Sequence, residues 1–230
     1  MSKRLHVYVG SVREGLGLPD GPGLATLLHD AFDTGSGGAI DLRLDAVLRP
    51  VRKAGPDEVI GLASLNSALE DLLPHPTVRA FDLTEIGLVI ADRYRDRDDV
   101  FGLMFDLGAD AASESTSVPR QGAAIFLDAI RANRSDDEKA SREIRCTAAH
   151  ELGHVFNLWH LESPRGFMSS CLPESEPWRH PFAFVADHRA YLARCETSLN
   201  VHPGGSVWGV RDVSVQGGDA MAPVGAGNVL

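Results

Sequence analysis

A short run of metal-binding side chains constrains this sequence more than any other feature. Residues 148–160 read AAHELGHVFNLWH and place three histidines and a glutamate within eleven positions. His150 and His154 are four residues apart, and on an α-helix such residues project from one face about one turn apart. Two imidazoles in that arrangement can share one zinc ion. The run therefore predicts a helix that carries a metal site.

The third histidine predicts where that helix ends. His160 lies six residues beyond His154, which is too far for the same helical face. The chain must turn sharply between them, and Asn157 is the residue there that best tolerates the left-handed conformation at a helix end. Glu151 can reach a water on the metal without being a ligand. This spacing arises by chance with a probability on the order of 0.001. We therefore predict one zinc ion per chain, bound by His150, His154 and His160.

Strand-like and helix-like runs alternate along the first 130 residues. The predicted strands cover residues 5–12, 39–48, 85–94, 100–107 and 122–130, and the predicted helices cover 24–32 and 57–73. Such alternation favours an α/β fold with a largely parallel sheet.

Two further helices are predicted after the last strand. Ser135 and Glu138 form an S-x-x-E capping box, which opens a helix that runs to about Phe156. Residues 182–196 form a second amphipathic helix, and from residue 199 the sequence is rich in Gly, Val and Pro with little periodicity. We predict a catalytic domain over 1–198, with an upper lobe of about 1–157, a lower lobe of about 158–198, and a tail or the start of a further module over 199–230.

These residues resemble the motif of the metzincin zinc peptidases, H-E-x-x-H-x-x-G-x-x-H followed by a methionine turn. The positions that match are His150, Glu151, His154 and His160. Met168, eight residues beyond the last histidine, stands at the spacing of the matrixin branch. The resemblance implies a mixed, mostly parallel twisted sheet with an antiparallel edge strand, a zinc-binding helix, a methionine turn and a C-terminal helix.

The sequence departs from the family pattern at three points and leaves the subfamily open. Asn157 replaces the family glycine. Ser170 stands where astacins and serralysins carry a tyrosine ligand, so that fifth ligand is absent. The cysteine-rich signature of the archaemetzincins is also missing, and Cys171 does not restore it.

The implied activity is that of a zinc-dependent endopeptidase. Glu151 would act as general base toward a zinc-bound water that attacks a peptide carbonyl. Met168 would form a hydrophobic floor beneath the imidazoles. By resemblance, the edge strand would bind an extended peptide through its backbone groups; its residues are Gly102, Leu103, Met104 and Phe105.

Two other functions stay open at this point. One is a pseudo-enzyme that binds zinc and a peptide without cutting it, although Glu151 disfavours this because a structural zinc site needs four protein ligands and no base. The other is a zinc hydrolase that acts on a non-peptide amide. An acidic loop at 92–99 could supply calcium ligands, but it lacks EF-hand spacing and a solvated charged loop is favoured.

Composition narrows the partners and the cellular location. The formal net charge of −10 argues against nucleic acid and anionic membranes as partners.

No apolar run approaches the roughly 20 residues of a membrane span, and the N-terminus lacks the features of a signal peptide. We therefore expect no membrane insertion, and either a cytoplasmic protein or export by a leaderless route. The first predicted strand begins near Met1 and no stretch resembles a latency segment, so we expect either that the enzyme is intrinsically restrained or that a separate inhibitor or a compartment restrains it. Scarce lysine and abundant arginine indicate a bacterial genome rich in G and C.

Overall fold

A computed structural model describes residues 3–12, 21–51, 59–73, 83–95, 97–105, 122–134, 136–156, 158, 160, 166–169 and 183–193. The strands among them are β1 (Lys3–Ser11), β2 (Ile40–Pro50), β3 (Val59–Ile60), β4 (Leu83–Ala91), β5 (Arg93–Tyr94), β6 (Gly102–Phe105) and β7 (Gly122–Phe126). The helices among them are α1 (Gly21–His29), which continues as a π-helical turn over Asp30–Thr34, α2 (Leu62–Leu72), α3 (Leu127–Asn133), α4 (Asp137–Val155) and α5 (Ala186–Leu192).

The main sheet has five strands in the order β2-β1-β4-β7-β6. The first four strands of this order run parallel to one another, and β6 pairs antiparallel with β7 at one edge. Strands β3 and β5 form a small parallel sheet of their own. The predicted fold class is confirmed: it is an α/β fold with a mostly parallel sheet and an antiparallel edge strand.

Alternate strand residues enter two apolar clusters, one on each face of the main sheet. On one face, Leu88 and Met104 pack with residues of α1, α4 and α5. On the other face, Val89 and Leu103 pack with residues of α2. Because both faces of the sheet are covered, β4 is apolar over residues 86–91, and β6 and β7 are apolar throughout. Helix α4 packs against β6 and β7, so the histidines lie beside the antiparallel edge.

Three predicted elements were wrong in part. The run 122–130, predicted as one strand, becomes a helix at Leu127, because Leu127 and Ile130 are buried at helical spacing. The predicted helix 57–73 begins only after Gly61, since Val59 and Ile60 pair with β5. The predicted strand 85–94 is broken after Ala91, and its last two residues join the small sheet instead.

The start of α4 also differs from its prediction. Its N-cap is Asp136, whose carboxylate accepts a hydrogen bond of 2.7 Å from the backbone N–H of Lys139. The capping box was therefore placed one residue too early, and Ser135 itself lies outside the described residues.

The predicted division of the chain stays a prediction, because residues 194–230, with the proposed tail 199–230, lie outside the described part. None of the described helices combines the length and the apolar character that a membrane crossing requires.

Candidate metal centre

Three histidine nitrogens meet at one point beside the sheet edge. The Nε2 atom of His150 lies 2.9 Å from that of His154 and 3.0 Å from that of His160, and the latter two are 3.0 Å apart. A tetrahedral zinc ion with Zn–N distances of about 2.0–2.1 Å needs nitrogens about 3.3 Å apart. A small outward shift of each ring therefore gives the spacing of a zinc site. No other group of metal-ligating side chains is found among the described residues.

The opposite ring nitrogens fix the tautomer of two of these histidines. The Nδ1–H of His150 donates to the backbone carbonyl of Phe167, and that of His154 donates to the carbonyl of Leu158 at 2.8 Å. A carbonyl carries no proton, so Nδ1 must be the donor in each case. In the neutral rings both Nε2 atoms then carry only a lone pair. Two lone pairs that face each other at 2.9 Å repel unless a cation lies between them, which fits a metal site.

Burial favours the neutral form of two of these imidazoles. It lowers the pKa of His150 to about 3, aided by the neighbouring His160 and opposed by the hydrogen bond to the carbonyl of Phe167. Burial also lowers the pKa of His160. A neutral ring is the form that binds metal, so the site is ready for a cation at neutral pH without the loss of a proton.

The end of α4 returns the chain toward the histidines. The helix ends at Val155, and the N–H of Leu158 donates to the carbonyl of Gly153 at 3.0 Å. This six-residue closure is the long hydrogen bond of a Schellman motif. It places the Leu158 carbonyl where it accepts from His154. Asn157, predicted as the left-handed residue of this turn, lies outside the described residues.

Met168 lies in a tight turn under the histidine helix. Gly166 has a φ of +103°, which favours glycine, and the N–H of Ser169 donates to its carbonyl. The Met168 side chain is fully buried, and its Sδ atom would lie 2.5 Å from a Cβ added to Gly153. The glycine between the two helical histidines therefore leaves the room that the methionine fills.

Glu151 is buried between α4 and β6. It has no exposed surface, and neither carboxylate oxygen has a hydrogen-bond partner of good geometry among the described residues. Burial raises the pKa of this carboxyl well above its usual range, which the backbone N–H of Met104 partly opposes. A Cβ added to Gly102 would lie 2.7 Å from the Glu151 Oε1 atom. The carboxyl group therefore sits directly against the edge strand.

The hydrogen-bond ladder defines which backbone groups of β6 are open. The N–H of Phe126 donates to the carbonyl of Phe101 at 2.8 Å. Antiparallel pairs alternate between bonded and non-bonded positions, so the next bonded pair contains Leu103, and Gly102 and Met104 direct their N–H and C=O groups away from β7. The side chains of Leu103 and Met104 are buried on opposite faces of the sheet. Of the four residues predicted to bind substrate, only Gly102 and Met104 direct their backbone groups away from β7, and the N–H of Met104 also interacts with the Glu151 carboxyl.

The acidic loop gives no second metal cluster in its described part. Arg97 binds Asp99 through two hydrogen bonds of 2.9 and 2.6 Å, and Arg93 lies 3.9 Å from Asp98. These arginines partly neutralise the carboxylates that a calcium ion would need. Calcium binding at this loop, which the sequence disfavoured, gains no support from these contacts.

No protein-family model matches the sequence, and no curated protein matches it either. The fold, however, is similar to that of a solved archaemetzincin. That protein, from Methanopyrus kandleri, is 16% identical in sequence. The match covers 84% of this chain and 95% of the archaemetzincin, with a TM-score of 0.53. A zinc-dependent peptidase from Methanocorpusculum labreanum is 19% identical over 82% of this chain and 99% of its own, with a TM-score of 0.49. At such low identity the first likeness shows the fold alone.

Sequence reasoning missed several parts of this site. The carbonyls of Phe167 and Leu158 gave no signal, because every residue carries a carbonyl. The close contact of Gly102 with Thr147 and Glu151 depends on how β6 crosses α4, which no local pattern reveals. Gly153 did offer a signal, since glycine inside a helix costs about 1 kcal/mol relative to alanine and such a residue has a packing or functional reason.

Proposed function

We propose that this protein is a zinc-dependent endopeptidase with His150, His154 and His160 as ligands of one zinc ion. The observation that carries the proposal is the convergence of three Nε2 atoms within about 3 Å of one another, beside a buried glutamate that ligates nothing. Three neutral imidazoles leave one position of a tetrahedral site open, which is typical of catalytic rather than structural zinc. The likeness in fold to an archaemetzincin supports the same conclusion.

Glu151 fits the role of general base. When bound, zinc supplies the Lewis acidity that activates water and polarises a carbonyl. The Glu151 carboxylate takes the proton of the attacking water and delivers it to the leaving amine. Burial raises the pKa of this carboxyl, so its carboxylate form is a stronger base than that of an exposed glutamate. It follows His150 directly in the sequence and is not one of the three converging ligands, so it would act on the water without occupying the metal.

The open edge of β6 favours a peptide over a small amide as substrate. The N–H and C=O groups of Gly102 and Met104 point away from β7, toward the side on which an added strand would pair. An extended peptide that pairs there would place its backbone beside Glu151, which lies against Gly102. We propose that substrate affinity comes mainly from this ladder, since the side chains of β6 are buried and cannot reach a ligand.

A peptide library tests the proposal. The purified protein is incubated with the library after zinc addition, and cleavage products are identified by mass spectrometry. We expect internal cleavage that stops with 1,10-phenanthroline and returns with added zinc. Cleavage that persists without metal contradicts the zinc mechanism. A zinc-loaded protein that cuts no peptide but hydrolyses small amides indicates the non-peptide hydrolase, and one that binds peptides uncut indicates the pseudo-enzyme.

A further inference from the structure

Strand β6 leaves a small gap over α4 at a single residue. A Cβ added to Gly102 would lie 2.6 Å from the Cγ2 atom of Thr147 and 2.7 Å from both Cγ and Oε1 of Glu151. Carbon atoms do not approach so closely without displacement, so only glycine fits here in the present packing. We call this contact of Gly102 with Thr147 and Glu151 the Gly102 gap.

In the described part of the chain, the polar atoms around the Gly102 gap are buried and make no hydrogen bond of good geometry. Thr147 is 2% exposed and Glu151 is fully buried. Among the described residues, no partner of good geometry satisfies the Thr147 hydroxyl or either carboxylate oxygen. An unsatisfied buried polar group destabilises the folded protein, because it loses its hydrogen bonds to water and gains none in return. Native proteins seldom retain several such groups together unless a functional state satisfies them.

The position of Thr147 allows its hydroxyl to satisfy Glu151. The two residues are four apart on α4 and so share one helix face. The methyl group of Thr147 and one oxygen of Glu151 now border the same gap under Gly102. Rotation by 120° about the Cα–Cβ bond can bring the hydroxyl to the place that the methyl group now occupies, and threonine populates two rotamers in helices. The exchange turns an apolar contact into one between a donor and an acceptor.

We propose that Thr147 is a positioning residue for the general base, and that its hydroxyl donates a hydrogen bond to Glu151 in the metal-loaded enzyme. This inference rests on the proposed peptidase function. The bond holds one carboxylate oxygen under Gly102 and leaves the other directed toward the attacking water. Glycine at position 102 is required because any side chain there would occupy the space between the two groups.

The test compares Thr147→Val with Thr147→Ser. Valine has the shape of threonine without the hydroxyl, and serine retains the hydroxyl without the methyl group. We expect Thr147→Val to retain its zinc and to show a tenfold or greater loss of kcat with little change in KM. Thr147→Ser should retain kcat within about threefold. The melting temperature of metal-free Thr147→Val should equal or exceed that of the wild type, because an unpaired buried hydroxyl is removed.

Three outcomes overturn the inference. If zinc-loaded Thr147→Val has the wild-type kcat, the hydroxyl does not position Glu151. If both variants lose kcat in parallel with their melting temperatures, Thr147 contributes only packing. If the zinc-loaded wild type cleaves no peptide, both the proposed function and the positioning role fail. The first outcome is distinguishable from this one, because there the wild type is active and only the positioning role fails.

Discussion

The backbone carbonyl of Phe167 accepts a hydrogen bond from Nδ1 of His150 across seventeen residues of sequence. This bond ties the turn that contains Met168 to the first histidine of the metal centre. It also determines which nitrogen of His150 faces its two partners. The methionine turn therefore acts on the site through the backbone of the preceding residue as well as through the buried thioether.

Metal content should depend on the helical histidines. The purified wild-type protein should contain about one zinc per chain, because three histidines leave one open position in a tetrahedral site. His154→Ala should lose most of this zinc and also melt at a lower temperature, since metal binding stabilises the folded state. His29 is exposed and is not one of the converging histidines, so His29→Ala serves as the control and should retain the metal. Elemental analysis and thermal unfolding measure both effects, and a zinc-free wild type after growth with zinc would contradict the account.

Gly102→Ala should separate catalysis from metal binding. The new methyl group would displace the side chains of Thr147 and Glu151, and no histidine is among the atoms nearest to it. We expect normal zinc content and at least a tenfold loss of kcat/KM. Gly61→Ala is the matched control, because its Cβ would meet only Arg95 at an ordinary contact distance of 3.5 Å. Full activity of Gly102→Ala would show that Glu151 tolerates displacement and is not the positioned base.

Gly153 and Met168 should be energetically coupled. A Cβ at Gly153 would lie 2.5 Å from Met168 Sδ and 3.2 Å from Phe184, so Gly153→Ala should destabilise the protein despite the better helix propensity of alanine. Met168→Ala creates a cavity and should also destabilise, by about 2–5 kcal/mol. The double variant should lose less unfolding free energy than the sum of the losses in the two single variants, because the new methyl group fills part of the cavity. Additive losses in urea unfolding would mean that the two side chains do not share this space.

Backbone pairing at β6 predicts a pattern of alternation in the substrate. Peptides methylated at single backbone nitrogens should lose affinity at alternate positions, because only every second substrate N–H faces the edge strand. The KM of each methylated version of a cleaved peptide measures this pattern. Substitution of Leu103 or Met104 is a poorer test, since both side chains are buried and Leu103 belongs to a pair bonded to β7. Equal losses at all positions, or none, would place the substrate elsewhere.

His188 should make the metal-free protein sensitive to acid. It is 1% exposed with both ring nitrogens unpaired among the described residues, and burial lowers its pKa to about 4. An unfolded histidine has a pKa of about 6.5, so the unfolded state binds more protons below that pH, and stability falls as the pH drops from about 6.5 to 4. Between pH 7 and 4.5, the unfolding free energy of metal-free His188→Leu should fall by about 2–3 kcal/mol less than that of the wild type, as measured by urea unfolding. If the unfolding free energies of the two proteins change equally with pH, this prediction is wrong.

The sequence predicted the parts of the site that depend on local spacing. His150, His154 and Glu151 follow from helical periodicity, and the structure brings His160 to them as expected. The edge strand was recognised as an apolar run, but its buried side chains and its open backbone groups depend on the register with β7. The Gly102 gap depends on the crossing of two elements about fifty residues apart in sequence. Such tertiary contacts leave no periodic pattern.

The central claim is most directly tested by Glu151→Gln at matched zinc content. Glutamine retains the size and the polar character of glutamate but cannot accept the proton of water as a base. Both proteins are loaded with zinc, the metal is quantified, and kcat/KM is measured on one cleaved peptide. The account predicts equal zinc and a loss of at least a hundredfold for Glu151→Gln, in line with the roughly 10²–10⁴-fold contribution of general base catalysis. Cleavage at the wild-type rate by zinc-loaded Glu151→Gln would contradict it.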